Sequence, residues 1–566
     1  MKTPVFFLAL TFVAPCPRIS AQTLVSHACD SPANELPRLS MLAVQTGRLA
    51  PGDAICFSLP LEEGELARIW IDAEVGYLKA RVLDPARAEI QVTWTSSFDS
   101  AAPSPRLAID ALESGLYRVE LSVPTWVSFK DAQTFRVQLS SLELATVRTA
   151  HRNQLSRDAR VAWLRGHAQR VRTLDPRDSD FSDLAFLRAA LRETRVVVLG
   201  EPENGGGSDV LAKTRLVKFL HDQMGFDVIA FQAGIHSSTT AWRALQSDSD
   251  PREALQKAIF GLLSQSAHAE TLIQYLAASA HSPRPLEVAG FDSQFTGTAS
   301  ATLLPDLRSF LGDRAPNSTL LDTSALASRV LAGVLDGRFA RDPPSLPSIA
   351  EQAQAVEALR AAALSLENAA ADRDSMFWAQ VLSSTATQVD LILNSMRGGT
   401  AKEYMAGFVR QMAENLVWLV NTRYPARKII VWAHTFQAMR DSGVTSYGRS
   451  VGYNVGQGLS TALGDASFVI GLTSYDGTSH WITQPEDYYQ SVIPNQQPGD
   501  SFETLMATAG HNLAFVNLRA ARARGEWLGG PFVANALYLV PEEAEWSKAL
   551  DALLFIRTQE PRRRAK

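Results

Sequence analysis

Residues 195–204 read Arg-Val-Val-Val-Leu-Gly-Glu-Pro-Glu-Asn, followed by Gly205-Gly206-Gly207 and a stretch with helical spacing. A short, wholly apolar run that opens into a polar loop and then a helix is a buried strand of an α/β sheet. Side chains at the carboxyl end of such a strand converge on one crevice. Glu201 and Glu203 therefore fall where this architecture places chemistry. Asn204 falls there too, but an amide takes up no proton at neutral pH and cannot serve as general base.

The strand pattern recurs. Val196–Leu199, Val228–Phe231, Leu286–Gly290, Lys428–Trp432 and Phe468–Leu472 are strand candidates, separated by long helical stretches such as Glu351–Asn368 and Tyr404–Asn421. Residues 186–558 thus read as a large α/β domain with a central β-sheet flanked by helices. A small all-β sandwich is expected ahead of it, over 23–145. There, 67–73, 89–95, 116–123 and 134–139 alternate apolar and polar residues between Pro, Gly, Asp and Ser turns. Residues 146–185 read as a helical connector. Residues 559–566, with Arg562-Arg563-Arg564, read as a basic tail that frays.

Met1–Gln22 has the pattern of a secretory signal peptide. Lys2 precedes a short apolar core, Phe6 to Ala14, and Ala21 offers a small residue for cleavage. Cys16 invites a lipoprotein reading, which the preceding Pro15 fits poorly. A periplasmic or secreted protein is expected. No later apolar run reaches membrane-spanning length, and a net charge of −5 carries no nucleic-acid footprint. Cys29 and Cys56 are either one disulfide or two thiols; an oxidising compartment favours the bond.

Other strand ends carry further candidates. Gln232 follows Val228–Phe231 and points to the same crevice as Glu201; His236 comes just after. Asp292 follows Val288-Ala289-Gly290-Phe291 and is placed to orient a histidine or an arginine. His434 ends the run Lys428–Ala433, where a general base would sit, or where a structural histidine would bond a backbone carbonyl. Lys213 and Arg215 lie on the helix after the glycine run. That run resembles an anion-binding loop but lacks the Lys-Ser/Thr ending; Ser208 or Asp209 reads better as a helix cap. No G-x-S-x-G elbow and no His-Glu-x-x-His or paired-cysteine pattern occurs, so neither a serine hydrolase nor a zinc site is supported.

Taken in order, these pieces resemble the erythromycin esterase family. They are Val196–Glu201, the helix with Lys213 and Arg215, Gly225–Phe231, Gly290–Gln294, Met412–Leu419 and Val431–His434. The resemblance runs through roughly residues 186–480 and leaves out the sandwich. It implies ester hydrolysis by metal-free water activation, without a cofactor, by a histidine after the first strand with nearby glutamates and late histidines. Here Glu201 and His434 match the pattern. Asn204 stands at the water-activating histidine, Gln232 at a glutamate, and Gln437 at the second late histidine. Thr435 replaces a polar residue before it, and Phe408-Val409 replace an Arg-Asp pair.

Two functions follow as expectations. One is an esterase-like hydrolase of a small-molecule carboxylic ester, altered or weakened, with His434 activating water and Glu201 and Asp292 orienting it. Asn204, Gln232, Lys213 and Arg215 would bind substrate. The other is a non-catalytic relative that binds a small molecule or a partner.

Overall fold

The computed structural model describes residues 29–565 except 33, 42, 74–76, 97–104, 124–131, 144–155, 248, 260, 297–300, 315–319, 321, 323, 369–371, 446, 449–451, 481–491 and 495–498. The Met1–Gln22 pattern lies outside the described residues.

Eight strands form the N-terminal sandwich: β1 (Gln45–Leu49), β2 (Ala54–Leu61), β3 (Leu66–Ala73), β4 (Tyr77–Leu83), β5 (Glu89–Ser96), β6 (Pro105–Asp110), β7 (Gly115–Ser122) and β8 (Gln133–Glu143). They pair antiparallel as two four-stranded sheets, β1-β8-β3-β6 and β2-β7-β4-β5. The inward positions Phe57, Ile69, Leu78, Val119, Phe135 and Val137 share one buried core, the result expected of period-2 alternation. The Tyr117 hydroxyl accepts from the Leu112 N–H at 3.1 Å, locking a corner between β6 and β7. Cys29 and Cys56 form a disulfide that ties the segment before β1 to β2.

The remaining strands build one large mixed sheet. These are β9 (Gln169–Arg170), β10 (Val196–Glu201), β11 (Phe226–Gly234), β12 (Glu287–Asp292), β13 (Lys428–His434), β14 (Ser467–His480), β15 (Val492–Pro494), β16 (Leu513–Asn517) and, after the hairpin β17 (Phe532–Ala534) and β18 (Glu542–Ala544), β19 (Ala552–Gln559). The order is β12-β11-β13-β10-β14-β19-β16-β9, with β15 added to β14. From β12 to β19 every pairing is parallel; β16 and β9 run antiparallel at the edge. All five strand candidates of this domain are strands. The supposed helical connector is helix Arg157–His167 followed by β9, which joins the sheet edge. A two-residue strand held by main-chain bonds alone leaves no side-chain period to read.

Helices cover both faces. Val198, Val431 and Val469 point into one apolar core, with helix Ala401–Trp418 against it. Leu199, Ile430, Trp432 and Ile470 point into the other, with helix Gly207–Met224. Between β12 and β13 five helices gather around Leu307, Leu331, Leu359, Phe377 and Leu382 as a separate apolar cluster. No helix among the described residues is long and apolar enough to cross a membrane.

Replacing Cys29 and Cys56 together by alanine releases a constraint across 27 residues. The sandwich should lose about 3 kcal/mol in urea unfolding. A loss below about 1 kcal/mol would show that its apolar core suffices alone.

Candidate active site

The site begins with a topological accident of the sheet. β10 feeds helix Gly207–Met224 on one face. Its neighbour β13 feeds helices Thr435–Ala438 and Val455–Leu463 on the other. Adjacent parallel strands whose connections part to opposite faces open a crevice at their carboxyl ends. Glu201 and His434 are paired residues at those two ends. Their side chains leave the same face, with backbones about 4.8 Å apart.

Lys213 closes the crevice from below. It is fully buried, and its Nζ bonds the Glu201 carboxylate and donates to the Ala433 carbonyl at 3.1 Å. The same ammonium lies 4.2 Å from the Trp432 ring centroid. Burial pulls the amine down to about 8, opposed by Glu201. Asp209, one helical turn earlier on the same face, accepts from Gln559 Nε2 at 2.7 Å through Oδ2. Burial, then the charge of Glu201, pushes its carboxyl up to about 7.

His434 is held in one tautomer. The Phe436 N–H donates to Nδ1 at 3.1 Å, so the neutral ring carries its proton on Nε2. Burial drives the imidazole down to about 4, against the pull of Glu201. The ring is therefore a neutral hydrogen-bond donor at pH 7, not the base expected from its strand-end position. Nε2 is enclosed, with the Pro202 carbonyl near the ring. Tyr538, on the β17–β18 connection, packs against the ring with centroids 4.7 Å apart. Its N–H donates to the Pro202 carbonyl at 2.8 Å. Tyr538 and Leu539 both have φ of 54°, a left-handed conformation costly for side chains of this size.

The glycine run is a packing device. A Cβ on Gly205 would stand 1.6 Å from the His480 carbonyl oxygen, and one on Gly206 1.8 Å from Gln559 Nε2. The loop is bare so that the C-terminal segment can lie on it. Ser208 and Asp209 do not cap the helix; Gly206 is the cap residue, and Ser208 Oγ accepts from the Glu560 N–H at 3.0 Å. Glu203 Oε1 accepts from the Gly205 N–H at 3.1 Å, a bond within the turn. Asn204 sits half-buried in that turn, three residues beyond Glu201. Among the described residues no three His, Cys, Asp or Glu side chains converge as a metal ion requires.

The other candidates lie elsewhere. Asp292 ends β12, three strands from β10, so its backbone is about 14 Å from that of Glu201. Its Oδ1 accepts from the Gln294 N–H at 2.8 Å, and Gln232 lies close enough to favour the carboxylate. It does not orient His434, whose Nδ1 the backbone already occupies. Burial pushes Asp292 up to about 7, and it lines a cavity with Gly234, His236, Ser237, Ser384 and Thr385. Arg215 is two residues from Lys213, hence on another helix face. It makes a bidentate pair with Asp183 at 2.7 and 3.0 Å, away from the crevice. His236 is buried rather than solvated, 2.8 Å from Asp306.

Residues 221–559, more than half of the chain, match the sequence profile of the erythromycin esterase family. The chain belongs to the erythromycin esterase family. The match starts beyond Glu201 and Lys213 and extends past residue 480 through β19. "Putative hydrolase YbfO" of Bacillus subtilis (strain 168) is 22% identical over 412 residues, covering 70% of this chain and 90% of that protein. Three solved structures share the fold at low identity. A Bacillus cereus protein superposes with TM-score 0.59 at 17% identity, over 73% of this chain and 100% of the other. A succinoglycan biosynthesis protein gives 0.58 at 16%, over 72% and 99%. A variant of erythromycin esterase EreC in its open conformation gives 0.50 at 17%, over 68% and 96%.

This erythromycin esterase family member departs from the expected pattern in consistent places. Phe408 and Val409 are apolar core residues beneath the sheet. Gln437 is buried with Oε1 unpaired among the described residues. The sequence also concealed four participants: Asp209, Tyr538, Gln559 and Arg562. For Asp209 a signal existed, since it is four residues before Lys213 and shares its helix face. Glu503 is a further buried acid, bonded by the Thr473 hydroxyl and by the Asn535 N–H at 3.1 Å.

Burial raises Glu503 from 4.5 to about 7. A group raised in the folded state gives full stability below its unfolded pKa and loses it as pH rises through the folded one. The melting temperature should therefore fall between pH 4.5 and 7 more steeply in the parent than in Glu503→Gln. Parallel curves would mean that Glu503 is ionised throughout.

Proposed function

We propose that this protein is a slow hydrolase of carboxylic esters. The observation that carries the reading is the placement of a carboxylate and a proton-bearing imidazole side by side at the switch point of the sheet. Glu201, bonded by the Lys213 ammonium, is the carboxylate placed to take a proton from water. The resulting hydroxide adds to the acyl carbon; the tetrahedral adduct then collapses, the ester C–O bond breaks, and the proton held by Glu201 passes to the departing alkoxide, which leaves as the alcohol. His434 Nε2–H donates to the carbonyl oxygen as it gains charge, a role for which a fixed neutral donor is suited. Asn204 supplies an amide that hydrogen-bonds water and substrate without exchanging protons. The Lys213 ammonium already occupies the Glu201 side chain, and turnover is slow. The Tyr538 segment has to move aside, since Nε2 is enclosed.

The second reading is a non-catalytic protein that binds a small molecule in the same crevice. The enclosure of both Glu201 and His434 Nε2, with an amide at Asn204, favours it. Under either reading the protein is exported. The Met1–Gln22 pattern and the Cys29–Cys56 disulfide support that placement.

Ester cleavage separates the two. The purified protein should hydrolyse p-nitrophenyl acetate above the buffer rate, and Glu201→Gln should lower that rate at least ~100-fold. Equal rates for parent and variant would remove Glu201 from the chemistry. Asn204→His restores an ionisable base beside Glu201 and should raise the parent rate ~10-fold or more. No gain in a folded variant would mean that the crevice lacks more than a base.

A further inference from the structure

The family match ends at Gln559, yet the chain beyond it is built into the crevice floor. Gly207 N–H donates to the Glu560 carbonyl and Arg562 N–H to the Gly205 carbonyl, both at 2.7 Å. The Ala267 N–H reaches the Arg563 carbonyl at 2.8 Å, and the Ala565 N–H reaches the Gln265 carbonyl at 2.7 Å. Arg563 N–H donates to His268 Nδ1 at 3.3 Å. The expected frayed tail is thus a strap bonded along both sides, because the glycine run lets two backbones touch. Arg562 is only 2% exposed, unlike Arg563 and Arg564, which are exposed.

What the strap carries is charge and a hydrogen bond for the buried acids. Gln559 Nε2 bonds Asp209 Oδ2 at 2.7 Å. The Arg562 guanidinium acts on Asp209, on Lys213 and on His268. Asp209 otherwise faces Glu201 from β10 and Lys213 from its own helix. A second carboxylate beside the Glu201–Lys213 pair competes with Glu201 for the one ammonium. Gln559 bonds Asp209 directly and the buried Arg562 adds a positive charge near it, and both offset that competition.

We propose that the segment Gln559–Ala565 belongs to the active site, with Gln559 and Arg562 as positioning residues that hold the Asp209 carboxyl and, through it, the Glu201–Lys213 pair. The assignment rests on the hydrolase reading for its purpose, but its physical content is tested without turnover. Infrared difference spectra of parent against Asp209→Asn isolate the Asp209 carboxyl band, which is then titrated in Arg562→Gln, Arg562→Lys, Gln559→Leu and Arg564→Gln.

Removing the nearby positive charge in Arg562→Gln should move Asp209 ionisation to higher pH by about one unit. Arg562→Lys should return it, and the exposed Arg564→Gln should leave it in place. Gln559→Leu removes the hydrogen bond without changing charge and should move the titration the same way, so the claim stays testable if Arg562→Gln does not fold. An Asp209 titration unchanged in either Arg562→Gln or Gln559→Leu overturns the proposal. The acid limb of p-nitrophenyl acetate hydrolysis should follow the Arg562→Gln shift. A shifted carboxyl titration in a protein with no ester turnover supports the positioning role and sinks the hydrolase reading instead.

Discussion

A fully buried lysine bonded to a glutamate is the constraint around which this α/β domain is arranged. Each ion costs several kcal/mol to desolvate, and only close geometry with further hydrogen bonds offsets that. Lys213 has those bonds: Glu201, the Ala433 carbonyl and the face of Trp432. Two strands and one helix must therefore keep their relative positions. Removing one partner would leave an isolated buried charge, a penalty of about 3–5 kcal/mol. The glycine run lets the C-terminal strap lie against the start of the helix that carries Lys213.

The chemistry available is set by which protons this environment fixes. Lys213 bonds the Glu201 side chain, while Asp209 rises to about 7 beside it. His434 falls to about 4 with its proton on Nε2. A crevice with a carboxylate acceptor and a neutral donor can polarise an ester carbonyl and accept a water proton. Asn204, in the turn after β10, offers an amide and no ionisable group. The two strained residues at Tyr538 and Leu539 stand at the mouth, where a conformational cost is compatible with opening.

Much of the framework was legible in the chain. Apolar runs at 196–199, 228–231 and 428–432 became central parallel strands because wholly buried strands need no alternation. Alternating runs at 67–73 and 116–123 became half-buried strands for the complementary reason. Ala552–Ile556 passed unnoticed, since an apolar run of that length reads equally as a buried helix segment. Glu201 and His434 were found because strand ends are visible in sequence. Arg215 was misassigned, since its partner Asp183 lies 32 residues away and no local pattern announces the pairing. Asp292 was linked to His434 by motif alone, whereas the sheet order puts β11 between their strands.

The sequence by itself determined the two-part architecture, the strand ends and the presence of amides at Asn204, Gln232 and Gln437. Those properties depend on hydrophobic period and on the chemistry of single residues, which are local. Only the tertiary structure decided that the Phe436 N–H takes up the basic nitrogen of His434, that Asp209 sits beside Glu201, and that Arg562 is buried rather than frayed. Protonation, burial and charge pairing depend on what surrounds a group in space. In this fold the surroundings of Glu201 come from residues 209, 213, 433 and 434, while Gln559 and Arg562 reach it through Asp209.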